Sequence, residues 1–319
     1  MITAVLSIIA GFVLLMWGAE YTVRGAVAIA NKLHIPTIIV GLTIVAFGTS
    51  APEFVVSLSA ALKGAEGISL GNVIGSNIAN LLLILGVTAV IYPVSCNKKI
   101  FLRDYIFLFV VTAAFIFFAW SGKFVFWHGI VLLLLLVSFV YYNYKNSKAG
   151  DVTEEALSPI ARKKWLTVIE VTVLGLIAIV YGADLLVNGA VSIARFWGIS
   201  EEMIGLTIIA FGTSLPELAT SGMAAFRHQN GVALGNILGS NIWNIVFIMG
   251  VTSVIADVEV SKQFLRYDLW VMVGSTLLLL PLMWTQSKMS RREGLFFVCT
   301  YILYLVSQIL IAKGIVVFE

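Results

Sequence analysis

Charge is what this sequence has least of. Only 12% of its 319 residues are Asp, Glu, Lys or Arg, against 60% hydrophobic residues and a mean hydropathy of +1.01. A chain of that balance cannot fold in water without exposing a very large apolar surface, so a soluble domain is excluded and the bilayer has to be its solvent. Cysteine is nearly absent. Cys96 and Cys299 lack metal-ligand spacing and fall near or inside apolar runs, where a lone thiol behaves as a small hydrophobe, so neither a disulfide nor a zinc site is expected. The three histidines, His34, His128 and His228, fall near the ends of apolar runs and read as interfacial side chains. No Ser/His, Cys/His or metal-ligand cluster is present to act as a nucleophile or hydrolytic site, so the chain does not read as an enzyme and no resident cofactor is expected. The basic residues form no stripe that would bind nucleic acid. No Lys or Arg precedes the first apolar run, so residues 2–19 read as a permanent helix and not a cleaved signal peptide.

What is present is apolar runs of roughly 20 residues, the length that spans about 30 Å of hydrocarbon as helix. Ten candidate spans lie near 2–19, 37–62, 68–92, 103–121, 124–143, 165–183, 201–226, 231–256, 267–285 and 293–312. Trp17, Tyr92, Trp127, Trp165 and Trp284 sit at their ends, as interfacial belts require. If the first span ends in the cytoplasm, the loops on that side hold 14 of the 20 Lys and Arg residues, which places both termini outside the cell membrane and segment 144–164 in the cytoplasm.

The chain is one unit written twice. Residues 41–91 and 205–255, compared at a constant offset of 164, share 29 of 51 positions without a gap, and the same offset carries Gly18 to Gly182, Glu20 to Asp184, Gly25 to Gly189 and Asp104 to Asp268. Five spans fall in each half, 1–143 and 165–319, and an odd number sends the second copy into the membrane from the opposite side. The expected fold class is therefore an all-α polytopic membrane protein, ten transmembrane helices in a 5+5 inverted repeat, with the polar 144–164 segment as a cytoplasmic tether. Glu20, Asp104, Asp184 and Asp268 lie near span ends, where a solvated carboxylate is unremarkable, and are left out of the site.

The most alike parts of the two copies are polar, the wrong way round for a repeat kept only to pack helices. GLTIVAFGTSAPE ends at Glu53 and GLTIIAFGTSLPE at Glu217. Pro52 and Pro216 lack the amide hydrogen that would bond the carbonyls of Gly48 and Gly212, so helices 2 and 7 are expected to break there. Carbonyls freed at membrane depth are tolerated where they line a polar cavity or bind a cation. Helical spacing puts Thr49 and Ser50 on the face of Glu53, and Thr213 and Ser214 on that of Glu217. Such an all-oxygen set suits hard cations like Ca²⁺ and Na⁺ and not Zn²⁺ or copper. Neither motif holds a basic residue to balance its glutamate, so the balancing charge is a transported cation or a proton. The second motif, GNVIGSNIAN at 71–80 and GNILGSNIWN at 235–244, aligns Asn72, Ser76 and Asn80, and Asn236, Ser240 and Asn244, on single helix faces. Asn80 and Asn244 are ligand candidates. Asn72, Asn77, Asn236 and Asn241 serve equally well as helix cross-links.

The doubled G-T-S-x-P-E and G-S-N-I-x-N pattern resembles the cation/calcium exchanger superfamily, specifically the sodium/calcium exchangers and their prokaryotic relatives. The resemblance covers both halves and implies four central sites that take one Ca²⁺ or three Na⁺ in alternating access. On that likeness Glu53, Glu217 and the Thr49 and Thr213 region bind Ca²⁺. Ala46, Ser50, Ser76, Thr213 and Glu217 form one flanking Na⁺ site, Thr49, Glu53, Ala210, Ser214 and Ser240 the other, and Asn80 and Asn244 line the middle. Asn244 stands where some archaeal relatives have Asp and where potassium-dependent members tend to carry an acid, which argues against potassium dependence.

The expected activity is secondary antiport with Na⁺ and Ca²⁺ as substrates, the lipid bilayer as surroundings, and one copy of the chain sufficient. Ca²⁺ neutralises two carboxylates whereas three Na⁺ overshoot by one, so exchange would carry charge. A Ca²⁺/H⁺ antiporter using the same carboxylates is the nearest rival, and a cation channel is a more distant one.

Overall fold

With no water in the hydrocarbon core to satisfy backbone amides, apolar runs of this length have to bond within themselves, and helix is the form that allows it. The computed structural model describes residues 1–95, 97–145, 159–197, 210–286, 288–312 and 315. Its helices are α1 (Ile2–Leu33), α2 (Thr37–Thr49), α3 (Ala51–Leu62), α4 (Glu66–Ile91), α5 (Lys98–Ala119), α6 (Phe126–Lys145), α7 (Trp165–Phe196), α8 (Ala210–Thr213), α9 (Leu215–Phe226), α10 (Asn230–Ile255), α11 (Leu269–Gln286) and α12 (Arg291–Ala312). Among the described residues seven single helices are long and apolar enough to cross a membrane, and α2 with α3 makes a bent pair of the same character. The expected span 201–226 lies in part outside the described residues, as does most of the 144–164 tether.

The first helix is longer than its apolar run. It was expected to stop at residue 19 but continues to Leu33, about 48 Å at 1.5 Å per residue. The charges that looked like a boundary are neutralised on the helix itself. Glu20 pairs with Arg24 one turn on, at 2.5 Å, and Arg227 reaches the same carboxylate at 2.6 Å. Glu20 is thus a paired side chain in mid-helix and not a solvated one at a span end. The helix finally stops at His34, whose φ of 55° is left-handed.

The chain divides into two compact units, and neither is a half of the duplicated sequence. The first unit comprises residues 1–52 and 143–239. Within it α1 and α7, equivalent helices of the two copies, cross antiparallel along a seam of glycines. Gly11 lies against Gly182 and Leu186, Gly18 against Gly175 and Ile179, Gly25 against Thr172, and Gly189 against Ala4 and Ile8. Without a hydrophobic drive between helices in lipid, such small residues let backbones come close enough for dispersion to hold them. The same unit seats α2 on the start of α10. A Cβ on Gly235 would lie 2.4 Å from the Ile38 carbonyl oxygen, and one on Gly239 2.7 Å from that of Leu42.

The second unit comprises residues 53–142 and 240–319. Here too close glycine contacts join one copy to the other. Gly86 of α4 meets Gly294 of α12, and Gly129 of α6 meets Gly250 of α10. Among the described residues four two-residue strands, β1 (Val94–Ser95), β2 (Lys123–Phe124), β3 (Val258–Glu259) and β4 (Lys288–Met289), pair antiparallel as β1 with β4 and β2 with β3. Phe101, Phe115, Phe124, Phe139 and Phe297 fill its core.

Candidate cation-binding site

Both glutamates owe their positions to the proline before them. A ring without an amide hydrogen is tolerated only in the first helical turn, and single turn residues, Ser50 at φ −81°, ψ 9° and Ser214 at φ −87°, ψ 2°, separate α2 from α3 and α8 from α9. Glu53 and Glu217 therefore stand in the first turn of α3 and α9, where unsatisfied amides favour a carboxylate. Each is 1% exposed.

The first unit collects Ala46, Thr49, Ser50, Thr213, Ser214 and Glu217. Ser50 Oγ donates to Glu217 Oε1 at 2.9 Å. Thr49 Oγ1 donates to Asn236 Oδ1 at 3.2 Å. Asn236 in turn donates through Nδ2 to Ser221 Oγ at 2.9 Å and to the Glu217 carbonyl at 3.5 Å. The Thr49 and Ser50 hydrogens are thus directed at protein acceptors, which leaves hydroxyl lone pairs for a cation. The Ala46 carbonyl, expected as a Na⁺ ligand, already accepts the Ser50 amide at 3.0 Å and the Thr49 hydroxyl at 3.3 Å. Ser214 Oγ is buried and makes no hydrogen bond among the described residues, and Thr213 is half-buried. Ala210 opens α8.

The second unit collects Glu53, Ser76, Asn80, Ser240 and Asn244, all buried. Asn72 Nδ2 donates to the Glu53 carbonyl at 3.0 Å and to Ser57 Oγ at 2.8 Å. This is the same clip as Asn236, Ser221 and Glu217, residue for residue at the repeat offset. Asn72 and Asn236 are therefore cross-links that fix the glutamate turns. Sequence reasoning left that choice open and missed Ser57 and Ser221 altogether. The signal was there, since both serines are identical between the copies and lie one helical turn past the glutamates. Asn77 bonds back to the Val73 carbonyl of its own helix at 2.7 Å.

Asn80 and Asn244 behave differently. Each opens a π-helical turn, Asn80–Ile84 and Asn244–Ile248, and such turns recur at functional sites. Asn80 Oδ1 and both amide atoms of Asn244 are buried without a hydrogen bond among the described residues. A buried polar atom left so costs about 1–3 kcal/mol and calls for an explanation. Amide oxygens of this kind are donors that a hard cation accepts.

The family model described as "Sodium/calcium exchanger protein" matches residues 3–145 and, a second time, 168–310. The chain belongs to the sodium/calcium exchanger family. Among relatives of this exchanger, the putative antiporter CaxA of Alkalimonas amylolytica is 39% identical over 95% of this chain and 98% of its own. The sodium/calcium exchanger MaX1 of Methanosarcina acetivorans is 32% identical over 94% and 97%. A solved structure of the sodium-calcium exchanger NCX_Mj, soaked with Na⁺ and Sr²⁺, is similar with a TM-score of 0.83 at 34% identity, covering 96% of this chain and 98% of that one. This exchanger is accordingly a multi-pass helical membrane protein whose family and fold are those of transporters and not of enzymes.

Proposed function

We propose that the chain exchanges Na⁺ for Ca²⁺ across the cell membrane by alternating access, three Na⁺ against one Ca²⁺, as an electrogenic antiporter. Glu53 and Glu217 carry the charge that binds the ions. Thr49, Ser50, Ser76, Asn80, Thr213, Ser214, Ser240 and Asn244 add neutral oxygens, with Ala46 and Ala210 through their carbonyls. The observation that carries this reading is the clip made twice, Asn72 on Glu53 and Asn236 on Glu217, which spends four side chains on holding two buried carboxylates in helix-opening turns. A carboxylate placed with that care at membrane depth is there for a cation.

The architecture that goes with it is ten helices as a 5+5 inverted repeat, 1–143 and 165–319, broken in helices 2 and 7, with both termini outside and 144–164 cytoplasmic. The antiparallel crossing of α1 on α7 and the twofold match of the family model support it. One chain carries the whole ligand set, so a monomer suffices.

Two carboxylates without a cation form a costly state to carry across the membrane, because buried charge must be balanced. Ca²⁺ balances them and three Na⁺ exceed them by one, so the protein crosses loaded and the two fluxes are coupled. The test is ⁴⁵Ca²⁺ uptake into Na⁺-loaded proteoliposomes diluted into Na⁺-free or equal-Na⁺ buffer, with a pH gradient as a parallel arm. Uptake that follows outward Na⁺ and ignores pH is expected. Uptake driven only by protons would move the protein to Ca²⁺/H⁺ antiport on the same two carboxylates, and passive flux without a counter-ion would make it a channel.

A further inference from the structure

The duplication supplies its own control for a second buried charge. Asp104 and Asp268 are equivalent at the repeat offset, each is the seventh residue of its helical segment counted from Lys98 or Lys262, and they are 1% and 2% exposed. The first copy carries its own counter-charge. Arg103 donates to Asp104 Oδ1 through Nε at 2.7 Å and lies at 2.6 Å through Nη2. In the second copy that arginine is replaced by Tyr267, whose hydroxyl bonds Ser307 Oγ at 2.6 Å. Among the described residues Asp268 is met by neutral groups. Tyr304 OH and Gln308 Nε2 donate to Oδ1 at 3.0 and 2.6 Å, and Gln263 Nε2 donates to Oδ2 at 3.4 Å. No ion pair to Asp268 is formed among the described residues. The helix dipole does not account for the difference: α11 is preceded without a gap by a helical stretch from Lys262 through the π-turn Phe264–Asp268, so Asp268 is as far from its helical start as Asp104 is from that of α5.

We propose that Asp268, with Gln263, Tyr304 and Gln308, forms a binding site for one alkali cation, separate from the transport residues. A carboxylate removed from water needs a positive partner, and where the first copy has a guanidinium the second takes an ion from solution. One negative charge and three neutral oxygens match a monovalent ion, and a divalent one would be left half balanced. Half a turn of either glutamine amide exchanges its nitrogen for its oxygen, so Gln263 and Gln308, which now donate to Asp268 and share a 3.2 Å bond with each other, present oxygens once the ion is in place. Gln263, Tyr304 and Gln308 are part-buried, and the charged Lys262 and Arg266 are exposed on the same stretch as Gln263, which marks this end of the helices as the one nearest the aqueous interface.

The site does not depend on the transport assignment, and the test separates the two. Full-length protein carrying Glu53→Gln and Glu217→Gln is melted in N-methylglucamine chloride, NaCl or KCl at equal ionic strength. Na⁺ or K⁺ is expected to raise the melting temperature by about 2 °C, the scale of a one-kcal/mol ligand in a chain of this size. Asp268→Asn should remove the increment. Tyr267→Arg restores the first copy's arginine, and should remove it while melting no lower than the parent in N-methylglucamine. No alkali increment, or one that persists in Tyr267→Arg, overturns the proposal. So does an infrared carbonyl band of a protonated carboxyl in alkali buffer that Asp268→Asn abolishes, because a proton would then hold the place of the ion.

Discussion

The two asparagine classes differ in what their amides already do, and that separates their expected mutants. Asn72 and Asn236 each satisfy a serine hydroxyl and a glutamate carbonyl, so Asn72→Ala or Asn236→Ala strands two buried partners. A loss of about 1–3 kcal/mol in stability, read from thermal melting, is expected together with weaker Ca²⁺ transport. Asn80 Oδ1 and both amide atoms of Asn244 are buried without a hydrogen bond among the described residues, so Asn244→Ala should cost little stability and lower Ca²⁺ affinity. Asn244→Asp adds a third carboxylate and should raise Ca²⁺ affinity while making flux fall as pH drops, because the new acid competes for protons. If Asn244→Ala melts far below the parent and transports normally, the amide is a packing element. The burial of both glutamates in helix-opening turns was legible in the sequence, because each follows a proline within an apolar run. Asn80 and Asn244 were set apart as ligand candidates, but the role of Asn72 and Asn236 was left open, because donor and acceptor ends look alike until their partners are known.

Among the helices, the glycines decide. Gly18→Ala would bring a Cβ to 2.7 Å from the Gly175 carbonyl oxygen, and Gly235→Ala one to 2.4 Å from that of Ile38. Both contacts are with backbone that cannot rotate away, so each substitution is expected to cost about 1–3 kcal/mol, seen as a lower melting temperature. Gly67→Ala and Gly274→Ala, which meet nothing within 4 Å among the described residues, serve as the silent controls. Sequence reasoning found the apolar runs but set the end of the first helix fourteen residues early, at 19 instead of 33. Composition marks where hydrocarbon ends, and a helix does not have to end there when Glu20 has Arg24 and Arg227 to pair with.

At the level of the whole chain, the proposed exchange of three Na⁺ for one Ca²⁺ would move one net charge per cycle, worth about 2.3 kcal/mol per 100 mV. Exchange in voltage-clamped proteoliposomes should therefore carry current and reverse at a potential set by both gradients, and electrically silent exchange would mean two Na⁺ per Ca²⁺. Orientation is checked by thiol labelling in a Cys96→Ser, Cys299→Ser background, where Lys63→Cys should react from outside and Lys98→Cys only from the cytoplasm. The duplication was plain in the sequence, but the division of the protein was not. Pairings between distant equivalent segments carry no local signature, so nothing in residues 1–143 announces that they are shared between two compact units.

The glycine seam of α1 has a consequence during synthesis. Its partner helix, α7, is complete only at Phe196, more than 160 residues after the end of α1. At 5–20 residues per second that is a wait of roughly ten to thirty seconds. Throughout it the newborn first helix stands in lipid with its small-residue groove open, and what closes the groove is its own later copy, arriving the other way up.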